Sequence, residues 1–236
     1  MRVFGANQMH CVIEVGSRGV THDRGSVARH TPGREAIEET ADSKGLVPGD
    51  FPVVCVGGSA GGLDAYVRLL QHLPANTGAA IVIVNHLRTF ATQLHEILPR
   101  YTSMPVTLIA DRLVVRPNHV FIIPGQRDLH VLNGEFRLKP ISKPRGWPDV
   151  ITVFLCSMAR YWKGKIIAVI VSGYDGDGAA ALCDIRKVGG ITIAQQPDTA
   201  QQPDMPESAI QSGYVDFVLS PEDIAKKIGC LARGYE

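Results

Sequence analysis

Residues 53–62 read Val-Val-Cys-Val-Gly-Gly-Ser-Ala-Gly-Gly, four apolar residues followed by four glycines in six positions around a single serine. An unbroken apolar run presents apolar side chains on both faces, as a parallel strand does when helices cover each side of its sheet. Beyond the glycines the period changes. Leu63, Tyr66, Val67, Leu70 and Leu73 recur at helical spacing and form one apolar stripe. The unit is therefore strand, glycine turn, amphipathic helix. Working outward, strands are predicted at Val53–Val56, Ala80–Val84, Val106–Ile109, Ile166–Val171, Ile191–Ala194 and Val215–Leu219. Helices are predicted between them, near Thr92–Leu98, Val150–Trp162, Ala179–Lys187 and Pro221–Ala232. Such alternation predicts an α/β fold with a doubly wound, mainly parallel sheet flanked by helices. One segment departs from it. After a strand at His119–Ile123, the runs Leu129–Leu132 and Glu135–Lys139 flank Asn133-Gly134, and Asn-Gly is the strongest short signal for a hairpin turn. An inserted antiparallel β-hairpin is expected there.

The chain has 236 residues, 45% hydrophobic and 20% charged, enough for one substantial core with a short appendage. From Gly16 to Asp50 the composition is polar and charged, with almost no large apolar residues. Such a stretch cannot bury enough surface to offset its ordering entropy. Residues 1–50 are therefore expected to be a flexible N-terminal arm, with one short helix near Arg34–Thr40, and residues 51–236 the folded domain. A net charge of +1 argues against nucleic-acid binding or a polybasic membrane contact. The five cysteines lie apart, without a CxxC pair or a Cys/His cluster, so neither a disulfide framework nor a structural zinc site is indicated. No signal peptide is legible at the N-terminus, and no run approaches the roughly 18 apolar residues of a membrane span. A cytoplasmic protein without membrane insertion is expected.

In open α/β sheets, ligands bind at the carboxyl ends of the strands. Three turns at such ends carry chemistry. In the first, Gly57 to Gly62, the glycines permit a tight turn and leave Ser59 exposed at a helix N-terminus, where amide groups favour negative charge. The pattern contains G-x-S-x-G, the nucleophile elbow. By itself it fits equally a phosphate-binding loop, although it lacks both G-x-G-x-x-G and the lysine of a P-loop. The second turn places Asn85-His86 after a buried strand, where His86, with an ordinary pKa near 6.5, suits a general base for a neighbouring serine. Read alone, a surface or capping histidine is the better account. The third, Ser172-Gly173-Tyr174-Asp175-Gly176-Asp177-Gly178, offers two carboxylates that suit orienting an imidazole or capping a helix. A calcium loop is disfavoured, because Arg186 stands where the bidentate glutamate belongs. Serine, histidine and aspartate at three separate strand ends together supply a nucleophile, a base and an orienting acid. Their order, Ser then His then Asp, differs from that of α/β-hydrolases.

The runs VVCVGGSAGG, RPNHVFIIPG from Arg116, IIAVIVSGYDGDGAAAL, GGITIAQQ from Gly189 and Met205 to Ile210, together with His86 and Pro148-Asp149-Val150, resemble the catalytic domain of chemotaxis protein-glutamate methylesterases (CheB). The similarity spans about Phe51 to Gly229, with the motifs in the family's order. It implies hydrolysis of glutamate γ-methyl esters, with deamidation of glutamines in many members. The implied substrates are the methylated cytoplasmic helices of chemoreceptors, and no metal or organic cofactor is required. By motif position it implies Ser59 as nucleophile, His86 as general base and Asp177, the aspartate followed by Gly-Ala, as the acid. Oxyanion donors are implied at the backbone of Tyr174 and at the N–H of Ala60.

The chain also departs from the family pattern. Ala60 stands where a hydroxyl residue is common, Tyr174 where methionine or threonine is usual, and Asp175 where glycine is usual. Asp175 brings a second carboxylate close to the acid, an arrangement that raises neighbouring pKa values. The Pro-Gly-rich stretch after the histidine is shortened to Leu87-Arg88-Thr89. Residues 1–50 are too few for a receiver domain, which needs roughly a hundred residues. The resemblance is therefore to modules without a receiver, and regulation is expected from a separate receiver or histidine-kinase protein. Two other readings stand beside the methylesterase: a degenerate, non-catalytic receptor-binding module, motivated by Ala60 and Asp175, and a small-molecule serine esterase or amidase.

Overall fold

The computed structural model describes residues 50–86, 92–143, 148–162 and 164–234. The expected N-terminal arm, with its helix near Arg34–Thr40, and the Leu87-Arg88-Thr89 segment lie outside the described residues, save Asp50. Among the described residues, nine strands form two sheets. Strands β1 (Val53–Gly58), β2 (Ala80–Asn85), β3 (Val106–Leu108), β4 (His119–Ile122), β7 (Ile166–Ile170), β8 (Ile191–Gln195) and β9 (Phe217–Leu219) make a seven-stranded parallel sheet in the order β3-β4-β2-β1-β7-β8-β9. Strands β5 (Arg127–Leu132) and β6 (Glu135–Pro140) form the expected antiparallel hairpin as a separate sheet. Asn133 and Gly134 at its tip have φ values of 52° and 77°, the left-handed conformations that a primed turn requires.

Alternation along the strands divides the core into two layers. Val53 and Cys55 of β1, with Val82, Val84, Ala168 and Ile170, face helix α3 (Val150–Tyr161), α4 (Leu182–Lys187), α5 (Asp204–Gln211) and the hairpin's Leu129, Val131 and Phe136. Val54 and Val56 face the other way, with Ile81, Ile83, Ile167 and Val169, onto α1 (Gly62–His72) and α6 (Pro221–Ala232). The α1 residues on that side are Ala65, Tyr66, Leu69 and Leu70. Each large apolar side chain buried there contributes roughly 1.5–3 kcal/mol. Arg68 on α1 adds a two-pronged ion pair with Glu222 on α6, Nε to Oε1 at 2.7 Å and Nη2 to Oε2 at 3.0 Å. The Arg68 hydrogen bonds hold the Glu222 carboxyl at about 2, well below its usual range. Both side chains are partly exposed, so the pair stabilises the α1–α6 contact only modestly.

Several boundaries differ from expectation. The last strand starts at Phe217 rather than Val215, because Thr192 turns its N–H and hydroxyl to the Asp216 carboxylate and its hydroxyl also to the Tyr214 carbonyl. These side-chain bonds stand beside a single backbone bond, from Asp216 N–H to the Thr192 carbonyl at 2.9 Å. Residues 179–181 form a 3₁₀ turn after Gly178 (φ 90°), so α4 begins at Leu182 rather than Ala179. The segment near Thr92 shortens to helix α2 (Leu94–Ile97), with a 3₁₀ turn at Leu98–Arg100 around Pro99. Helix α5 was not expected. Pro206 lies in its first turn, where a missing N–H leaves no helical bond unmade.

Strand order reverses at β1. The chain runs from β1 outward through β2 to β4 and β3, then returns to place β7 on the other side of β1. The carboxyl ends of β1, β2 and β7 therefore open onto the topological switch point, where such sheets bind ligands.

Candidate active site

The serine turn follows β1 directly. Ser59 donates its N–H to the Ser172 carbonyl (2.9 Å) and accepts at its own carbonyl from Gly62 N–H (3.0 Å), which closes the turn. Gly61 has φ 73°, and a side chain there would meet Ser172 Oγ at 2.5 Å, so the turn requires glycine at this position for two independent reasons. Ser172, itself fully buried, ties three segments together. Its hydroxyl donates to the Ala60 carbonyl (2.8 Å) and accepts from Gln202 N–H (2.9 Å), while its N–H donates to the Gln195 side chain (3.0 Å). Gln195 in turn donates to the Thr199 carbonyl (2.9 Å). The serine turn is thus fastened to the ends of β7 and β8.

His86 is placed by backbone register. Gly58 pairs with Asn85, and His86 N–H donates to the Gly58 carbonyl at 3.0 Å, so Ser59 and His86 leave adjacent strand ends side by side. The Asn85 side chain accepts from the Tyr66 hydroxyl on α1 (3.1 Å), bracing the end of β2.

The third turn brings both of its aspartates to this imidazole. His86 Nε2 lies 2.9 Å from Asp177 Oδ2, and His86 Nδ1 lies 2.9 Å from Asp175 Oδ2. Both contacts are at hydrogen-bond distance but off the hydrogen-bond line, leaving His86 Nε2 and Asp175 Oδ2 without an aligned partner. Among the described residues no hydrogen bond joins the Ser59 hydroxyl to His86. Burial opposes charge on the ring, but the two carboxylates outweigh it and raise the His86 pKa to about 10. The imidazole is therefore a cation at neutral pH. This departs from an ordinary value near 6.5, and its physical origin is the pair of carboxylates, Asp175 and Asp177. Asp175 itself, although burial works against it, is held below the usual carboxylate range by His86 and by the Asp177 N–H.

The two aspartates are anchored very differently. Asp177 Oδ2 accepts from Ile151 N–H (2.8 Å), and its Oδ1 accepts from Thr152 N–H (2.9 Å) and the Thr152 hydroxyl (2.6 Å). The carboxylate thus caps the first turn of α3, where free amides and the helix dipole favour an anion. Asp149, the α3 N-cap residue, makes no side-chain cap and pairs with Lys143 instead. Thr152 also accepts from Gly178 N–H (2.8 Å), fixing the turn that carries Asp177. Asp175 has one supporting bond, from Asp177 N–H to its Oδ1 at 3.0 Å, and its side chain is 21% exposed against 2% for Asp177.

The N–H groups of Ala60 and Tyr174 donate to no acceptor among the described residues. Gly173 N–H is by contrast already bonded to the Gln202 carbonyl (3.0 Å). The Tyr174 side chain stands in solvent.

Every residue singled out in the three turns lies at this one crevice. Thr152 and Gln195 were not foreseen: Thr152 sits inside the predicted helix Val150–Trp162, and Gln195 directly after the predicted strand Ile191–Ala194. Gln195 carried one signal, because it closes a strand at the same edge as the other three turns.

Fold and site together define a doubly wound α/β domain carrying a serine, an imidazole and two carboxylates at its switch point. A model of the CheB methylesterase family matches residues 54–228, and the chain belongs to that family. It is 34% identical over 185 residues to a protein-glutamate methylesterase/protein-glutamine glutaminase of Burkholderia thailandensis, covering 77% of this chain and 54% of that protein. A protein of the same description from Pseudomonas aeruginosa is 33% identical over 180 residues, covering 75% and 53%. The chain thus spans about half the length of the curated relatives it matches. The crystal structure of the Thermotoga maritima CheB methylesterase catalytic domain superposes with a TM-score of 0.70 at 32% identity, covering 76% of this chain and 97% of that one. Among the described residues no helix is long and apolar enough to cross a membrane.

Proposed function

We propose that the domain is a protein-glutamate methylesterase that cleaves glutamate γ-methyl esters on chemoreceptor-like proteins through Ser59, His86 and Asp177. One observation carries this reading: three strand ends at the switch point converge so that His86, beside Ser59, rests one nitrogen on an aspartate fixed by the first turn of α3. Asp177 suits the role of orienting acid better than Asp175, because three donors hold its carboxylate in place. With Nε2 on Asp177, Nδ1, which Asp175 contacts in this structure, is the nitrogen assigned to the serine. In the reaction His86 Nδ1 takes the Ser59 proton as Oγ attacks the ester carbonyl. The N–H groups of Ala60 and Tyr174, which meet no acceptor among the described residues, receive the oxyanion, each worth a few kcal/mol of barrier. The imidazolium returns the proton to the departing methanol, and water releases the acyl group by the same route.

The substrates proposed are the methylated cytoplasmic helices of receptors, with glutamine deamidation as a second activity of the same site. A cytoplasmic location and regulation by a separate receiver or histidine-kinase protein belong to this reading. The test is methanol release from a methylated receptor fragment. Wild type is expected to release it and Ser59→Ala to lose turnover by on the order of 10³-fold or more. Fluorophosphonate labelling of Ser59 without methanol release would favour a small-molecule esterase instead. The non-catalytic reading also has an observation in its favour, the Asp175 carboxylate on Nδ1, and absence of labelling under all conditions would establish it.

A further inference from the structure

We propose that Asp175 is a gate on His86: it occupies the ring nitrogen that Ser59 needs, so Ser59 becomes reactive only when Asp175 swings out of the crevice. The inference rests on the reading of Ser59 as nucleophile and His86 as base. An imidazole has two nitrogens, and a serine triad uses one for the acid and the other for the hydroxyl. Here both are taken, at 2.9 Å each. Asp177 is the fixed partner, buried and held by three donors from α3. Asp175 is the movable one. Its Oδ2 makes no aligned hydrogen bond, its side chain reaches solvent, and glycines flank the dipeptide that carries it on both sides. Rotating it outward breaks the ion pair with His86 and a single bond from Asp177 N–H, and returns the carboxylate to water.

The surrounding charges leave Asp175 as the group that decides this contact. From the turn after β7 come Asp175 and Asp177 alone. From the connection into α3, Lys143 acts on Asp177 but is paired with Asp149. The first turn of α3 presents the amides of Ile151 and Thr152 to Asp177. The serine turn carries no charged residue, and Asp64 on the adjoining α1 is engaged by Arg68. No described cation other than His86 therefore contacts Asp175. Held this way the ring stays protonated and cannot accept the Ser59 proton.

The experiment compares the full chain with Asp175→Asn and Asp175→Gly. Labelling of Ser59 by a fluorophosphonate is followed from pH 6 to 10.5, with ¹⁵N NMR of the histidine ring as a second readout. Asn keeps the oxygen that accepts from Asp177 N–H, so it decides the matter if the Gly variant folds poorly. Removing one neighbouring carboxylate moves a pKa by one unit or more, so both variants are expected to label about tenfold faster or better at pH 7. The curves should converge with wild type at the alkaline end, and the His86 ring should titrate at lower pH. Equal or slower labelling of the folded variants at pH 7 would overturn the gate, as would an unmoved His86 titration. If neither wild type nor variant labels at any pH, the hydrolase reading falls and takes the gate with it. That outcome is distinct from equal, non-zero labelling, which sinks the gate alone.

Discussion

The Thr152 hydroxyl donates to Asp177 Oδ1 at 2.6 Å and accepts from Gly178 N–H at 2.8 Å, so one side chain on α3 fixes both the carboxylate that faces His86 and the turn that carries it. The residues lie on different elements, and the hydroxyl is their joint. Asp177 caps α3 in place of the helix's own N-cap residue. The stability of that helix and the aim of the acid are therefore the same interaction.

Thr152→Val, close in shape but without the hydroxyl, is expected to reduce kcat by about ten- to a hundredfold with little change in KM. Its stability should fall by about 1–3 kcal/mol, since a buried carboxylate loses one donor and an amide loses its acceptor. Thr152→Ser should restore most of both. Steady-state kinetics beside denaturant unfolding separate the two effects. A stability loss with unchanged kcat would reduce Thr152 to a structural residue.

The His86 clamp gives stability its own pH dependence. The ring's pKa is raised from 6.5 in the unfolded chain to about 10 in the folded one, so the folded state holds the proton more tightly. The contribution is complete below pH 6.5 and is lost as pH rises toward 10. Asp175→Asn, which removes half of the clamp, is expected to be less stable than wild type at pH 6, with the gap closing by pH 10. Urea unfolding at a series of pH values measures it. A gap independent of pH would show that Asp175 stabilises the turn and not the charged ring.

Gly61 and Gly189, the latter in the turn after α4, both have positive φ, at 73° and 81°, but only Gly61 is crowded. Alanine at either position strains the backbone by roughly 1 kcal/mol. At Gly61 it also meets Ser172 Oγ at 2.5 Å and must displace the serine turn. Gly61→Ala is expected to lose fluorophosphonate labelling along with stability. Gly189→Ala, where nothing lies within 4 Å of the added carbon, should lose stability alone. Comparable labelling of the two variants would contradict the crowding argument.

Much of this was legible in the sequence, for identifiable reasons. Central strands β1, β2 and β7 are buried on both faces, so their apolar runs stood out without any need to find a period. Asn133-Gly134 marked the hairpin by its backbone chemistry, and the helix predicted at Pro221–Ala232 is α6, where Ser220 Oγ accepts from Asp223 N–H. Helix α5 was obscured by Pro206, which reads as a breaker until its place in the first turn is known. The strand ends at the crevice followed from topology, and the choice of Ser59, His86 and Asp177 from motif position. The imidazole's double engagement did not follow. Which of two nearby carboxylates meets which ring nitrogen depends on side-chain rotamers across three loops, and a linear sequence carries no signal for that. Asp175 appeared as one of two carboxylates in the third turn and as a departure from a family pattern, and its contact with Nδ1 gives that departure a physical meaning.

Ser172 supplies the last prediction, because it joins the serine turn to the rest of the site without facing the crevice as a reactant. Its hydroxyl donates to the Ala60 carbonyl and accepts from Gln202 N–H, and both bonds are short and partly buried. Ser172→Ala leaves a carbonyl and an amide unpaired in a place water cannot easily reach, at a cost of roughly 1–3 kcal/mol. The backbone consequence matters more. The Ala60 carbonyl belongs to the peptide between Ala60 and Gly61, so releasing it loosens the turn that presents Ser59 and the Ala60 N–H together. The variant is therefore expected to keep the His86 titration of the wild type, since the aspartate clamp is untouched, while Ser59 labelling slows by about tenfold or more. NMR of the histidine ring and labelling kinetics on one sample test both halves. If the imidazole titration shifts along with the labelling rate, the serine turn and the clamp form one coupled unit, and Ser172 is not confined to the nucleophile side of the site.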